Sequence, residues 1–205
     1  MRQSNLKLSF ERIDTWTDAQ ELMRIRNQCR EGMTHDTSVI TEKQQYEFYK
    51  DHLAPWGDQK YEAYLLMTDE KAIGFGLLKW DEEKGHYWMT AGLIKEYRGK
   101  GLSRLLINFI TEMGHREGAD VWIDVWEDNL ALIGDIKVGY EVMDQKFING
   151  KVLNIMKHNR ERQLRLGEIQ ILKNFTNVDV KSVREFNDIR REIEEVDAIS
   201  RQAYS

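Results

Sequence analysis

Residues Leu6 to Ile13 alternate apolar and polar side chains, the period of a strand with one buried face. Thr15 and Thr17 can cap a helix that carries Leu22, Met23 and Ile25 and runs to about Arg30. A polar stretch from Glu31 to Ile40 follows, and Thr41 opens a second helix through Tyr46, Phe48, Tyr49 and Leu53. After Pro55-Trp56-Gly57 the period becomes that of a sheet. Tyr61–Thr68, Ala72–Trp80 and Tyr87–Ile94 are predicted strands joined by polar turns, an antiparallel meander. Leu102, Leu105, Leu106, Phe109, Ile110 and Met113 then fall at helical spacing over 102–117, with Gly118 at the stop position. A strand over Ala119–Trp126, a short helix over Leu130–Val138 ended by Gly139, and a strand over Tyr140–Phe147 complete the order. Asn149-Gly150 signals a tight hairpin into Val152–Lys157. The predicted class is mixed α/β, with an antiparallel first half and a strand–helix–strand unit in the second.

The last segment differs in character. Residues 159–205 hold nine basic and nine acidic residues, so the net charge of −5 resides upstream. Val183, Phe186, Ile189, Ile193 and Val196 form an apolar stripe at helical spacing, which needs a surface to bury it. The expected organisation is a catalytic-size domain over 1–157 and a C-terminal helical extension over 158–205. That stripe can pack on its own domain, make a homodimer contact, or meet a partner.

Composition narrows the function classes. With 41% hydrophobic and 32% charged residues the chain can bury a core, while a net charge of −5 disfavours a dedicated nucleic-acid binder. A single cysteine, Cys29, excludes an internal disulfide and any multi-cysteine metal site. No His, Asp and Glu set has metal-ligand spacing, so no metal is expected. No apolar run approaches the ~18 residues of a membrane span, and the first residues lack the apolar stretch of a signal peptide. A cytoplasmic protein with no membrane partner is the expectation.

The stretch carrying chemistry is Ala91–Ser103, AGLIKEYRGKGLS. A strand ends, a glycine-rich turn follows, and an amphipathic helix begins. Successive backbone N–H groups in such a turn, with the positive end of the helix, suit an anion such as a diphosphate. Arg98, Lys100 and Arg104 add positive charge in an otherwise acidic chain. The spacing matches neither the dinucleotide-fold nor the nucleotide-triphosphatase glycine pattern.

Arg98-Gly99-Lys100-Gly101-Leu102-Ser103 resembles the R-G-x-G-x-[GA] pyrophosphate loop of the GNAT superfamily of acetyl-CoA-dependent N-acetyltransferases. Asn129 before a short helix, and Lys137-Val138-Gly139-Tyr140 after it, resemble the ending of that family's acetyl-CoA domain. The likeness spans roughly residues 5–157. It implies a mixed sheet of six to seven strands flanked by helices and splayed between the fourth and fifth. It also implies acetyl-CoA as co-substrate and direct attack by an amine. Leu93 and Ile94 would pair with the pantetheine arm, Arg98 to Ser103 would hold the pyrophosphate, and Asn129 would reach the pantetheine or lie near the thioester.

One departure concerns the proton donor. Many family members carry a tyrosine in the short helix; the corresponding slot here is Asp135, or Ile136 with a one-residue shift. An aspartate is expected to be ionised and to make a poor acid. Tyr140, Tyr97 or water are the substitutes. For the base, His86, Asp124 and Glu127 are candidates, with Asp124 singled out as the polar residue in an apolar strand.

On the substrate side, Arg26-Asn27 and the Ile40-Thr41-Glu42 helix start resemble N-acetyltransferases for nucleotide-linked amino sugars and ribosomal-protein N-termini. The pair can equally be a helix-end anchor. Trp122, Asp124 and Trp126 share a strand face with Trp88 nearby, either stacking a nucleobase or sugar or filling core. His35 and Asp36 in the loop can bind an amine or only meet solvent. The expected function is acetyl transfer to a primary amine of a small acceptor, possible members including a nucleotide-linked amino sugar. Peptide acetylation and a non-catalytic acyl-CoA-binding module are the rivals.

Overall fold

The computed structural model describes residues 7–159 apart from Glu70 and Glu117. The chain divides into two compact units, Met1–Ile123 and Asp124–Ser205, taken here in turn. The first holds β1 (Leu8–Arg12), α1 (Trp16–Cys29), α2 (Glu42–Phe48), β2 (Tyr61–Thr68), β3 (Ala72–Asp81), β4 (His86–Leu93), α3 (Leu102–His115) and most of β5 (Asp120–Trp126). The end of β5, α4 (Ala131–Val138), β6 (Tyr140–Ile148) and β7 (Lys151–His158) belong to the second. The strand order is β1-β2-β3-β4-β5-β7-β6. This is the mixed α/β class with a seven-stranded sheet that the sequence predicts.

Both early helices begin on a reciprocal cap. Thr15 accepts from the Asp18 amide and Asp18 accepts from Thr15, and Thr41 and Gln44 repeat the arrangement. Each box satisfies two amides that a helix start leaves orphaned. Thr17 lies inside α1 and plays no capping part. The helix predicted from Thr41 through Leu53 is α-helical only to Phe48. Tyr49–Leu53 widen into a π turn closed by the Ala54 amide on the Tyr49 carbonyl at 2.8 Å. Pro55 forces Ala54 into extended backbone, ψ 150°, and ends the helix there. The wide turn lets Tyr49 and Leu53 both face inward.

In the first unit β1 to β4 form the predicted meander, every neighbouring pair antiparallel. β4 and β5 are parallel, joined by the α3 crossover. Glycines mark which helix covers which face. A Cβ on Gly92 would overlap Phe75 and lie 3.2 Å from Cys29 of α1, whereas one on Gly76 would overlap Ile110 of α3. Strand alternation then puts Tyr61, Lys79, Trp88 and Trp122, which are successive cross-strand partners, on the α1 face. Ile25, Leu65, Leu66, Ile73, Phe75, Leu78, Leu106 and Ile110 fill the core at 2% exposure or less.

In the second unit the hairpin turn forms as predicted. Asn149 and Gly150 take φ of 51° and 82°, the mirror-image turn that suits strand twist. α4 stops at Gly139, φ 126°, whose amide reaches the Asp135 and Ile136 carbonyls. The apolar stripe over 183–196, the homodimer contact assigned to it and nearly all of the 158–205 extension lie outside the described residues; β7 itself runs through His158.

Gly76→Ala should destabilise the protein by about 1–3 kcal/mol through overpacking against Ile110. Denaturant unfolding of Gly76→Ala, Ile110→Ala and the double variant checks this. The double variant is expected to lose less than the summed single losses, because the new methyl occupies space that Ile110 vacates.

Candidate active site

β4 and β5 pair over His86–Trp88 against Asp120–Trp122, and the ladder ends there. β4 itself continues to Leu93, still paired to β3. The Ile94 amide donates to the Ile73 carbonyl at 3.0 Å, which fixes the alternation: residues 94, 92, 90 and 88 bond to β3. The backbone groups of Leu93 and Ala91 therefore turn to the other side, where β5 has left the ladder. Ile94 keeps its amide for β3, so of the two residues predicted to pair with an extended ligand only Leu93 presents an amide there.

Arg98 completes this edge. Its Nε donates to the Leu93 carbonyl at 2.8 Å, and its guanidinium hydrogen-bonds the Cys29 side chain. Burial pushes the Cys29 thiol up, and Arg98 pulls against that shift. The arginine thus ties the strand end to the last turn of α1, a structural bond that nothing in the sequence pattern signals. A short 3₁₀ turn over Lys95–Tyr97 then leads into the glycine turn.

Gly99 and Gly101 have φ of 71° and 79°, in the left-handed region, and a Cβ on either would meet nothing within 4 Å. Left-handed backbone demands glycine here, while the open space shows that no packing does. Gly101 caps α3 with no side-chain hydrogen bond, and the first helical bond is Leu105 N–H to the Gly101 carbonyl at 3.4 Å. The amides of Leu102, Ser103 and Arg104 consequently have no intrahelical partner. Lys100 folds back over the Tyr97 ring at 5.1 Å, with Lys71 on the same ring at 5.7 Å.

On the α1 face, His86 stacks on Trp122 at 5.1 Å and meets Trp88 edge-on at 5.2 Å. Lys84 covers the Trp88 ring at 5.2 Å, and the Trp88 indole donates to Asp81 at 3.2 Å. These tryptophans therefore spend ring surface on their own neighbours. The buried indole N–H of Trp122 finds no acceptor among the described residues. Asn27 anchors the loop after α1: its amide donates to the Ile40 carbonyl at 2.9 Å and accepts from the Ile40 amide at 2.8 Å. In that loop His35 and Asp36 are exposed, and Asp36 accepts from the Ser38 amide at 2.9 Å.

The second unit holds the remaining candidates. Asp124 lies half-buried in β5. Glu127 accepts from the Val152 amide at 3.1 Å, which commits it to β7. Asn129 accepts the Ala131 amide at 3.0 Å and so shapes the start of α4. Tyr140 is 0% exposed, its ring 5.2 Å from that of His158. Asp135 reverses the expectation of an ionised aspartate. It is buried at 5% exposure, and burial raises its pKa to about 8. Its carboxyl is therefore mostly protonated at neutral pH, a state the sequence alone does not reveal.

Residues 19–140 match the acetyltransferase (GNAT) family. The chain belongs to that family. It is an acetyl-CoA-dependent N-acetyltransferase. Among solved structures, a Vibrio cholerae spermidine N-acetyltransferase SpeG chimera with hSSAT is similar at TM-score 0.60 and 16% identity, over 74% of this chain and 94% of that one. YncA of Salmonella typhimurium, solved with acetyl-CoA, is similar at TM-score 0.61 and 16% identity, over 77% and 96%. A GNAT-family acetyltransferase of Streptococcus pneumoniae gives 0.61 and 16%, over 74% and 98%. No curated protein sequence matches the chain.

The residues present fit acetyl-CoA. An uncapped helix start, two left-handed glycines and open space around both make a cradle for a diphosphate that a side chain would fill. Among the described residues no His, Cys, Asp and Glu group could hold a metal ion, and no helix is long and apolar enough to cross a membrane.

The raised pKa of Asp135 sets a pH dependence. A carboxyl whose folded pKa exceeds its unfolded value favours folding fully below about pH 4 and loses that contribution as pH climbs towards 8. Wild type should therefore lose several kcal/mol relative to Asp135→Asn between pH 5 and pH 8, measured by denaturant unfolding at both.

Proposed function

We propose that the GNAT acetyltransferase transfers its acetyl group to the primary amine of a small molecule, with a nucleotide-linked amino sugar as one member of that class. The observation that carries the small-acceptor reading is the loop clip. Asn27 binds both backbone groups of Ile40, so the chain from Arg30 to Ile40 returns to the last turn of α1 and closes a short loop there. A closed loop suits an enclosed acceptor better than an extended peptide. Spermidine acetylation by the similar Vibrio cholerae enzyme agrees with a small amine. The covered faces of Trp88 and Trp122 lend less support to a stacked nucleobase than the bare sequence does.

The residue roles follow from placement. The amides of Gly99 to Ser103 hold the pyrophosphate, and the outward groups of Leu93 and Ala91 align the pantetheine arm as an added strand. Arg98 acts by bracing Leu93 and the turn. Asn129 sets the start of α4, and the family resemblance gives it the pantetheine as its ligand. When bound, acetyl-CoA supplies the acetyl group as a thioester that an amine can attack directly. Asp124 takes the proton from the acceptor ammonium. Tyr97 or water is the acid, because Tyr140 and Asp135 are both too enclosed to exchange protons readily.

Gly101→Val tests the cofactor half. Calorimetric titration should show acetyl-CoA affinity falling at least about tenfold, roughly 1.4 kcal/mol, because a β-branched side chain refuses the left-handed turn. The melting temperature should fall as well, because valine is strained at this backbone conformation, so the titration is made well below it. Unchanged affinity would remove the turn from the site. Thiol release with a panel of small amines and of peptides tests the acceptor half; turnover of peptides alone would overturn it.

A further inference from the structure

Several polar side chains around the last turn of α1 are committed, whereas Gln28 is exposed and the half-buried Arg30 side chain makes no hydrogen bond or ion pair among the described residues. Arg24 donates to Glu21 at 2.8 Å and to the Ala72 carbonyl at 3.0 Å. Asn27 holds Ile40, and Arg98 holds Leu93 and Cys29. Arg26 is half-buried too and makes no hydrogen bond or ion pair among the described residues. Burial pulls its pKa down, opposed by Asp36 and by the Tyr61 hydroxyl, so both lie within electrostatic range. Asp36 does not close on it, being exposed and bonded to Ser38.

Position gives this cation a purpose. Arg26 lies one turn before Cys29, which packs by Gly92 near the end of β4. Tyr61 heads the cross-strand row Tyr61, Lys79, Trp88, Trp122, the last two at the point where the β4–β5 ladder ends. Lys79 brings a second cation, its ammonium 5.9 Å from the Tyr61 ring. Arg26 and Lys79 thus place two cations on the α1 face beside the opening, with Asp36 exposed nearby and Asp81 held by the Trp88 indole. Half-burying a guanidinium without a partner costs free energy that a bound anion would recover.

We infer that the acceptor carries an anionic group, a carboxylate or a phosphate, in addition to its amine, and that Arg26 pairs with that anion. This rests on the small-amine reading above. A planar guanidinium offers two parallel donors to either oxyanion, which fixes the acceptor's orientation as well as its affinity. A polycation such as spermidine would meet repulsion at the same place.

The test uses the full chain, thiol release from acetyl-CoA, and matched amines that differ by one anion: putrescine against ornithine, and glucosamine against glucosamine 6-phosphate, with spermidine alongside. The anionic members should show kcat/KM about tenfold or more above their partners. Arg26→Gln should abolish that preference by raising KM for the anionic amines alone, leaving KM for acetyl-CoA and the melting temperature in place. Arg26→Lys should restore part of it. A preference confined to ornithine identifies a carboxylate, and one confined to glucosamine 6-phosphate a phosphate. Equal or better turnover of spermidine and the other amines without an anion overturns the inference, as does a preference that survives Arg26→Gln. Acetyl-CoA binding by calorimetry with no thiol release from any amine would overturn the small-amine reading, and this inference with it.

Discussion

A strand that keeps one neighbour and loses the other must find partners for half of its backbone polar groups. β4 is in that position beyond Trp88, where the ladder to β5 stops while the ladder to β3 runs on to Leu93. The molecule settles part of the problem internally, through Arg98 on the Leu93 carbonyl. The rest stays on offer along an edge that leads straight into the glycine turn and the uncapped start of α3. An extended ligand arm and a diphosphate are what such a run of donors and acceptors accepts. The proposed cofactor site is therefore less an added feature than the consequence of ending one ladder early.

Burial does different work at each ionisable group. At Asp135 it keeps a proton on the carboxyl, turning a residue that looks like a fixed anion into a neutral one. Cys29 is held as a thiol, so the only cysteine is a packing residue at the strand end rather than a nucleophile. At Arg26 desolvation cannot remove the charge, because guanidinium stays protonated under all ordinary conditions. The cost is left standing until an anion arrives. One physical effect thus yields a neutral carboxyl, an inert thiol and a candidate anion receptor, according to which protonation state each group can reach.

Much of this was legible in the residue pattern. Period-two runs located β2, β3 and β4, helical spacing located α3, and Asn149-Gly150 named its hairpin turn, because each depends on interactions within a few residues. The glycine turn was legible for the same reason: left-handed backbone at Gly99 and Gly101 is a local requirement. The split of the second helix was harder to see. Pro55 announces an end, but the π turn at Tyr49–Leu53 comes from burying both side chains against the rest of the unit. The Arg26-Asn27 pair resolved into two roles, since only coordinates show Asn27 closing on Ile40 while Arg26 bonds to none of the described residues.

By itself the sequence determined the order of elements, the family, and the turn that suits a diphosphate, all of which are written in short-range spacing. Tertiary structure alone decided where the β4–β5 ladder ends, that Ile94 gives its amide to β3, that Arg98 braces the strand end, and that Asp135 is neutral. Those facts depend on which distant segments share a face and how much water they exclude. Desolvation and cross-strand register are properties of the assembled fold, and no local pattern of residues encodes either.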